Sequence, residues 1–265
     1  MLVLASGDPR GYTWPGDSGK ELCVRVLVIS DVHSNLAALQ AVLEDAGQFD
    51  TLWSLGDVVG YGPQPNECIA TLCAYDHLYI AGNHDWGVLG KIPLDDFNGD
   101  ARKANLWNRE QLDAASLAYL EAAPEAIVEE KVTLAHGSPR YPIWEYLIYA
   151  SVAKLSFGFF ETKLCLVGHT HVPILFALSP DRGDCQASRL PEGEPFTLGQ
   201  GRYIANPGSV GQPRDGDPRA AYMVIETDSM AIEHRRVAYD VEATQALMRK
   251  AGLPRRNITR LELGW

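Results

Sequence analysis

Five times along this 265-residue chain an apolar run of strand character stops on a residue able to bind a metal. VRVLVIS runs into Asp31 and His33, TLWSLG into Asp57, HLYIAG into Asn83, His84 and Asp85, KVTLA into His136, and KLCLVG into His169 and His171. Between the first runs the apolar period changes from 2 to about 3.6. Leu36, Leu39, Val42 and Leu43 share one helical face with Ser34 or Asn35 as its cap, and a second helix is predicted over about residues 66–74, after the turn-forming GDVVGYGPQP. This β-α-β-α-β order predicts a parallel or mixed sheet covered on both faces. In open α/β sheets ligands bind outside the carboxyl ends of the strands, so one edge of one sheet is expected to gather all of these side chains.

Residues 92–123 read as helical and more polar, anchored by Leu106, Trp107, Leu112, Leu117 and Leu120, and are expected beside the cleft. AIVEEKVTLA reads as a hairpin, and Leu155 and Phe159 belong to a helix leading into KLCLV. PILFAL, RYIAN, AAYMVIE and AIEHRRV are short strands divided by turn residues, expected to form a second, antiparallel layer before a last helix over about residues 241–251. The resulting fold class is α/β, a four-layer α/β/β/α sandwich of two mixed sheets flanked by helices. Residues 1–21, rich in Gly, Pro and Asp and without a sustained period, are expected to be a flexible extension, with residues 22–265 forming one domain.

Composition narrows the class. The chain is 46% apolar with a mean hydropathy of -0.13, enough for a full core. It lacks the ~18 consecutive apolar residues of a membrane span, and its first residues lack the basic and apolar regions of a secretory leader, so a cytoplasmic protein with no membrane partner is expected. Five cysteines without a CxxC pair argue against a disulfide framework or structural zinc and are expected as buried thiols. A net charge of -11 disfavours stable binding of long nucleic acid, although a metal site can neutralise a phosphate locally whatever the global charge, and it leaves open a homo-oligomer.

Asp31 and His33 stand at i and i+2 just past a strand, where an extended backbone points both to one side. Asp57, with two carboxylate oxygens, is suited to bridge two cations held ~3.5–4 Å apart. His169 and His171 repeat the i, i+2 spacing, so that one imidazole can serve each metal, while Asn83 offers a carbonyl oxygen and His136 a nitrogen. Each block alone is a weak signal; five in order, each after a strand, are a strong one.

At these residues the sequence resembles the calcineurin-like metallophosphoesterase superfamily, whose pattern is D-x-H, G-D-x-x, G-N-H-[DE], H-G and G-H-x-H. The blocks read here as Asp31-Val32-His33, Gly56-Asp57-Val58-Val59, Gly82-Asn83-His84-Asp85, His136-Gly137 and Gly168-His169-Thr170-His171. Asn206-Pro207-Gly208-Ser209 is similar to a later motif of the small bacterial and archaeal phosphodiesterase branch. The resemblance implies that Asp31, His33 and His171 hold one metal, that Asp57 bridges, and that Asn83, His136 and His169 hold the second. It also implies that His84 lies over the substrate phosphate as general acid or as donor to the developing charge. Two divalent metal ions are expected, Mn²⁺ first, with Fe, Zn, Ni or Co also suited to the donor set.

The activity so implied is a dinuclear phosphohydrolase that activates a shared water for in-line attack, acting on phosphodiesters ahead of phosphomonoesters. Dinucleoside polyphosphates or cyclic nucleotides are alternative substrates. A non-catalytic interaction scaffold of the same fold is the alternative class, against which His84 and the complete ligand set argue. One departure stands out: many relatives read G-D-x-x-D-x-G, whereas this chain has Gly60-Tyr61-Gly62 there. The partner that orients His84 is then Asp85, a backbone carbonyl or water. Tyr61 is expected near the substrate because its loop leaves the Asp57 strand end, and Asn206 or Ser209 is expected to border the cleft as part of a turn. Asp85 is expected to be structural, His77 and His234 to be surface or cap histidines, Trp86 a core or rim anchor, and Arg255, Arg256 and Arg260 a solvated tail.

Overall fold

The computed structural model describes residues 24–181 and 183–265; the expected extension over residues 1–21 lies outside them. Strand β1 (Arg25–Ile29) alternates as the period of two requires, with Val26 and Val28 facing an inner core and Leu27 and Ile29 facing an outer one. Helix α1 (Leu36–Ala46) follows, and of the two candidate caps it is Asn35 whose side chain accepts the Ala38 N–H. Then come β2 (Thr51–Ser54), α2 (Pro65–Leu72) with proline at its first position, β3 (His77–Tyr79) and α3 (Asn83–Leu89). The polar stretch folds as a 3-10 turn (Leu94–Asp96), α4 (Gly99–Gln111) and α5 (Ala114–Ala122). Strands β4 (Ala126–Val128) and β5 (Val132–Ala135) form the expected hairpin, followed by α6 (Ala150–Ser156) and β6 (Leu164–Leu166).

Strands β7 (Ile174–Leu178), β8 (Cys185–Ser188), β9 (Phe196–Thr197), β10 (Arg202–Asn206), β11 (Ala220–Glu226) and β12 (Ala231–Val237) precede α7 (Val241–Lys250) and α8 (Arg255–Leu263). They form two six-stranded mixed sheets, ordered β3-β2-β1-β11-β12-β9 and β4-β5-β6-β10-β7-β8. The late strands are therefore not a layer of their own. β7 and β10 join the second sheet, whereas β11 and β12 return to the first, with β11 antiparallel beside β1. Six of the seven β11 residues are buried, so it carries apolar side chains on both faces, and such a run gives no cue to which sheet will take it.

The sheets face each other across an inner core that includes Val26, Trp53, Leu134, Leu166, Met223 and Ile225. Helices α1 and α2 cover the outer face of the first sheet with Leu39, Val42 and Leu72 against Leu27, Tyr222 and Val224. Helix α6 covers the second through Ala153, beside Phe157, Phe160, Phe176 and Ile204. The buried side chains there are Phe157 and Phe160; of the two residues expected in that helix, Leu155 lies in it and Phe159 just past its end, and both are exposed. Helix α8 replaces the expected arginine tail, with Ile258 and Leu261 buried against Met248 and Leu253. Cys68 and Cys165 are buried as expected, but Cys185 is half-buried and Cys73 is exposed. No helix among the described residues is long and apolar enough to cross a membrane.

Candidate metal centre

Every donor singled out in the sequence lies one to five residues past a strand end, and the two sheets share the task. Asp31 follows β1, Asp57 follows β2 and Asn83 follows β3 in the first sheet; His136 follows β5, and His169 and His171 follow β6, in the second. The expectation of one edge of one sheet is corrected: the donors meet across the inter-sheet gap, at the rim where both sheets end. All are at most 3% exposed.

The local backbone also differs from the extended conformation expected at D-x-H and G-H-x-H. Asp31 (φ 54°), His33 (φ 48°), Asp57 (φ 52°), His169 (φ 64°) and His171 (φ 60°) are all left-handed, as are Ser34 and Tyr61. Left-handed non-glycine residues are strained by roughly 1–2 kcal/mol each and persist where the surroundings over-determine them. Here the two loops lace together: Asp31 N donates to Gly56 O, His33 N to Asp57 O and Ser34 N to Val58 O, at 3.1, 3.0 and 2.9 Å. Gly82 is required by close approach, since a Cβ there would strike the Asp57 carboxylate.

Two donor clusters result, Asp31 with His33 and His171, and Asp57 with His136 and His169. The outer nitrogens of three rings are anchored: His33 Nδ1 lies 3.0 Å from Val59 O, His136 Nδ1 2.8 Å from Leu55 O and His171 Nδ1 2.5 Å from Gln212 O. A carbonyl only accepts, so each Nδ1 carries the proton and a neutral ring turns an Nε2 lone pair inward. His33 Nε2 and His171 Nε2 are then 3.1 Å apart, lone pair facing lone pair, with Asp31 Oδ1 3.3 Å from His171 Nε2. Asp31 Oδ1 and His169 Nε2 are buried without a hydrogen-bond partner. Buried groups arranged so that only acceptors converge fit a bound cation.

Asp57 connects the clusters. Its Oδ1 accepts the His84 N–H at 2.8 Å, and its Oδ2 lies 3.8 Å from His33 Nε2 and 3.3 Å from His136 Nε2. Asn83 Oδ1 is 3.2 Å from His136 Nε2. Burial disfavours the charged ring of His136, but the charge of Asp57 outweighs it and raises the group to about 9. A cation at that position would take the place of the proton. Burial pushes His33 well below its ordinary value and His169 down to about 3, leaving lone pairs free at neutral pH. Burial opposes ionisation of Asp31 and Asp57, yet His171 beside the first and His136 beside the second hold both well below the usual carboxylate range.

His84 is oriented by a residue the sequence reading missed. Its Nδ1 lies 3.0 Å from Oδ1 of Asn105 on α4, and neither Asp85 nor a backbone carbonyl makes this contact. Asp85 instead accepts N–H groups of Asp57, Val59 and Gly82 at 2.8, 3.2 and 3.0 Å, a structural role; burial, with the charge of Asp57, pushes it up to about 7. Asn108, one turn on from Asn105, accepts from Ser34 Oγ and Gly60 N and donates to Gly62 O. The cue was present: Ala101, Ala104, Asn105 and Asn108 recur at helical spacing, and two amides on a buried face need partners. Of the expected anchors in this region only Leu120 is buried, and Leu106 is exposed.

Tyr61 packs between the His33 and His84 rings, at 4.7 and 4.5 Å between centroids, and Tyr146 stacks on His169 at 3.9 Å. Asn206 and Ser209, expected at the border of the cleft, are fully buried behind it. Asn206 Nδ2 donates to Gly168 O and Thr170 Oγ1, and Ser209 Oγ donates to Asp31 O and accepts Gln212 N, so their polar atoms hold the ligand loops. Trp86 is half-buried against the core. His77 meets Tyr119, and His234 is not at the surface but 2% exposed between the sheets.

The chain has relatives of the same build. A model of the calcineurin-like phosphoesterase superfamily domain matches residues 24–230. An uncharacterized protein of Methanocaldococcus jannaschii is 39% identical over 246 residues, covering 90% of this chain and 98% of that one. The crystal structure of a metallophosphoesterase from Sphaerobacter thermophilus is 48% identical with a TM-score of 0.85, covering 92% of this chain and 100% of that one. A hypothetical protein from Pyrococcus horikoshii OT3 shares the fold at 20% identity and a TM-score of 0.76, over 91% and 99% of the two chains. With the donor clusters at the rim of two mixed sheets, these matches establish that the chain belongs to the calcineurin-like phosphoesterase superfamily.

Proposed function

We propose that the protein is a dinuclear metal-dependent phosphohydrolase, with phosphodiesters as its preferred esters. The observation that carries this reading is Asp57 Oδ2 standing between the two clusters, within 3.8 Å of a ring nitrogen of each. Asp31, His33 and His171 would hold one cation, Asn83, His136 and His169 the other, and Asp57 both. Divalent cations there would supply Lewis acidity, lowering the pKa of water and neutralising phosphoryl oxygens, and Mn²⁺ is the first candidate. His84 would serve the substrate. Burial, against the charge of Asp57, holds it down to about 4, so the free ring is neutral with its proton on Nδ1 toward Asn105. A phosphate bound alongside adds negative charge, favours the imidazolium, and lets Nε2 donate to the leaving oxygen. The preference for diesters rests on the likeness of the Asn206-Pro207-Gly208-Ser209 block to the phosphodiesterase branch.

A second reading follows from geometry, since His33, Asp57 and His84 also have donor atoms within 4.8 Å of one another, which would make His84 a ligand. One experiment separates the two. Metal-free protein is reconstituted with Mn²⁺ and assayed on bis(p-nitrophenyl) phosphate and p-nitrophenyl phosphate, and the metal content of wild type and His84→Ala is measured. Two metals in both proteins, faster turnover of the diester, and a loss of roughly 10²–10⁴ in kcat for the variant are expected. Loss of a metal from the variant makes His84 a ligand, and no turnover of either ester with any divalent metal removes the reading.

A further inference from the structure

Six arginines of this acidic chain are neutralised where they stand: Arg25, Arg102, Arg140, Arg219, Arg235 and Arg236 each meet a carboxylate within 4.0 Å. Two beside the metal centre are not. Arg214 Nε and Nη2 donate to Oε1 of Gln212 at 3.3 and 2.8 Å, and Arg260 Nη1, from α8, reaches the same oxygen at 3.4 Å. One neutral acceptor thus holds two guanidinium groups, and neither has a carboxylate partner among the described residues. Arg260 Nε and Gln212 Nε2 are buried without a partner, although Gln212 is only 1% exposed. Two like charges brought together around one amide, with buried donors left over, are a costly arrangement unless an anion completes it.

The pair is continuous with the metal centre. The Arg214 guanidinium lies over the Tyr61 ring, 5.6 Å from its centroid, and that ring packs on His33 and His84. The Gln212 backbone carbonyl anchors His171. The charge of Arg214 acts on His33, His84, His171 and Tyr146, and Arg260 feels the like charges of Arg214 and Arg256 against smaller opposing contributions from Tyr61 and Asp100. The Tyr61 hydroxyl has no hydrogen-bond partner among the described residues, which leaves it free for the same ligand.

We propose that Arg214 and Arg260, joined through Gln212, bind a second anionic group of the substrate, so that the site selects esters or anhydrides carrying at least two phosphoryl groups. This rests on the phosphohydrolase reading above. Guanidinium groups suit it because they stay charged and present forked donors to phosphoryl oxygens. The test is calorimetric binding of methylenebisphosphonate and of methylphosphonate to the Mn²⁺-loaded protein, at fixed excess metal, for wild type, Arg214→Met and Arg260→Met. Wild type is expected to favour the bisphosphonate by more than tenfold, and each variant to lower that ratio by about tenfold, the equivalent of ~1.4 kcal/mol. Arg260→Lys, which keeps the charge on α8, is expected to recover part of the ratio and guards against a folding defect. Equal affinity of wild type for the two phosphonates, or equal weakening of both in Arg214→Met, overturns the proposal. Because the ratio is read without turnover, it stands or falls separately from the hydrolysis of bis(p-nitrophenyl) phosphate.

Discussion

At the scale of single residues, the centre is a set of side chains each held at one atom and free at another. His33, His136 and His171 are tied through Nδ1, Asp57 through Oδ1, Asp31 through the Oδ2 that accepts Ser30 Oγ at 2.6 Å, and His84 through Asn105. The Asn105 contact makes a specific prediction. Asn105→Ala frees the His84 ring while leaving the donor clusters intact, so metal content is expected to stay the same as kcat falls about tenfold, roughly 1.4 kcal/mol of barrier. Asn105→Asp puts a negative charge beside Nδ1, which stabilises the imidazolium, so the His84-dependent limb of the pH–rate profile is expected to move to higher pH. An unmoved limb in the Asp variant means that the ring seen by Asn105 is not the titrating group.

At the scale of elements, α4 is the piece that locks the loops. Asn108 is fully buried and its amide serves Ser34, Gly60 and Gly62, joining the loop after β1 to the loop after β2. Asn108→Leu keeps bulk but strands these groups, at about 1–3 kcal/mol for each buried donor or acceptor left unpaired. A destabilisation of at least about 2 kcal/mol in urea melts is expected, together with weaker metal retention, because left-handed Asp31, His33 and Asp57 depend on the laced loops. A melt within 0.5 kcal/mol of wild type would show that the ladder between Asp31, His33, Ser34 and their carbonyl partners suffices without α4.

At the scale of the whole molecule, burial between the sheets sets a pH dependence away from the metal centre. His234 points inward from β12, where burial first, and the charge of Arg236 next, lower it to about 4, against smaller opposing contributions from the Pro207 backbone, Glu192 and Asp215. Between its ordinary value near 6.5 and about 4, the unfolded chain takes up a proton that the native state refuses. Stability therefore falls as pH drops through that window, by an amount on the order of 3 kcal/mol, and no further below it. Chemical melts of wild type and His234→Gln at pH 7 and pH 4.5 are expected to show the smaller acid loss in the variant. Equal losses would mean that His234 titrates normally in the folded protein.

Much of this was legible in order along the chain because strand ends are local events: an apolar run that stops, a glycine, then Asp, Asn or His. The five donor blocks, the flanking helices α1, α2 and α7, and the β4–β5 hairpin needed no more than that. What tertiary structure alone decided is who faces whom. The return of β11 to the first sheet, with β12 paired beside it, was hidden because β11 is buried on both faces, which erases the period that would have placed it. The left-handed backbone at the ligands followed from bonds between loops residues apart in sequence but adjacent at the rim. Asn105, Gln212, Arg214 and Arg260 became functional candidates only through neighbours supplied by other elements, because a polar side chain declares its partner in space and not in sequence.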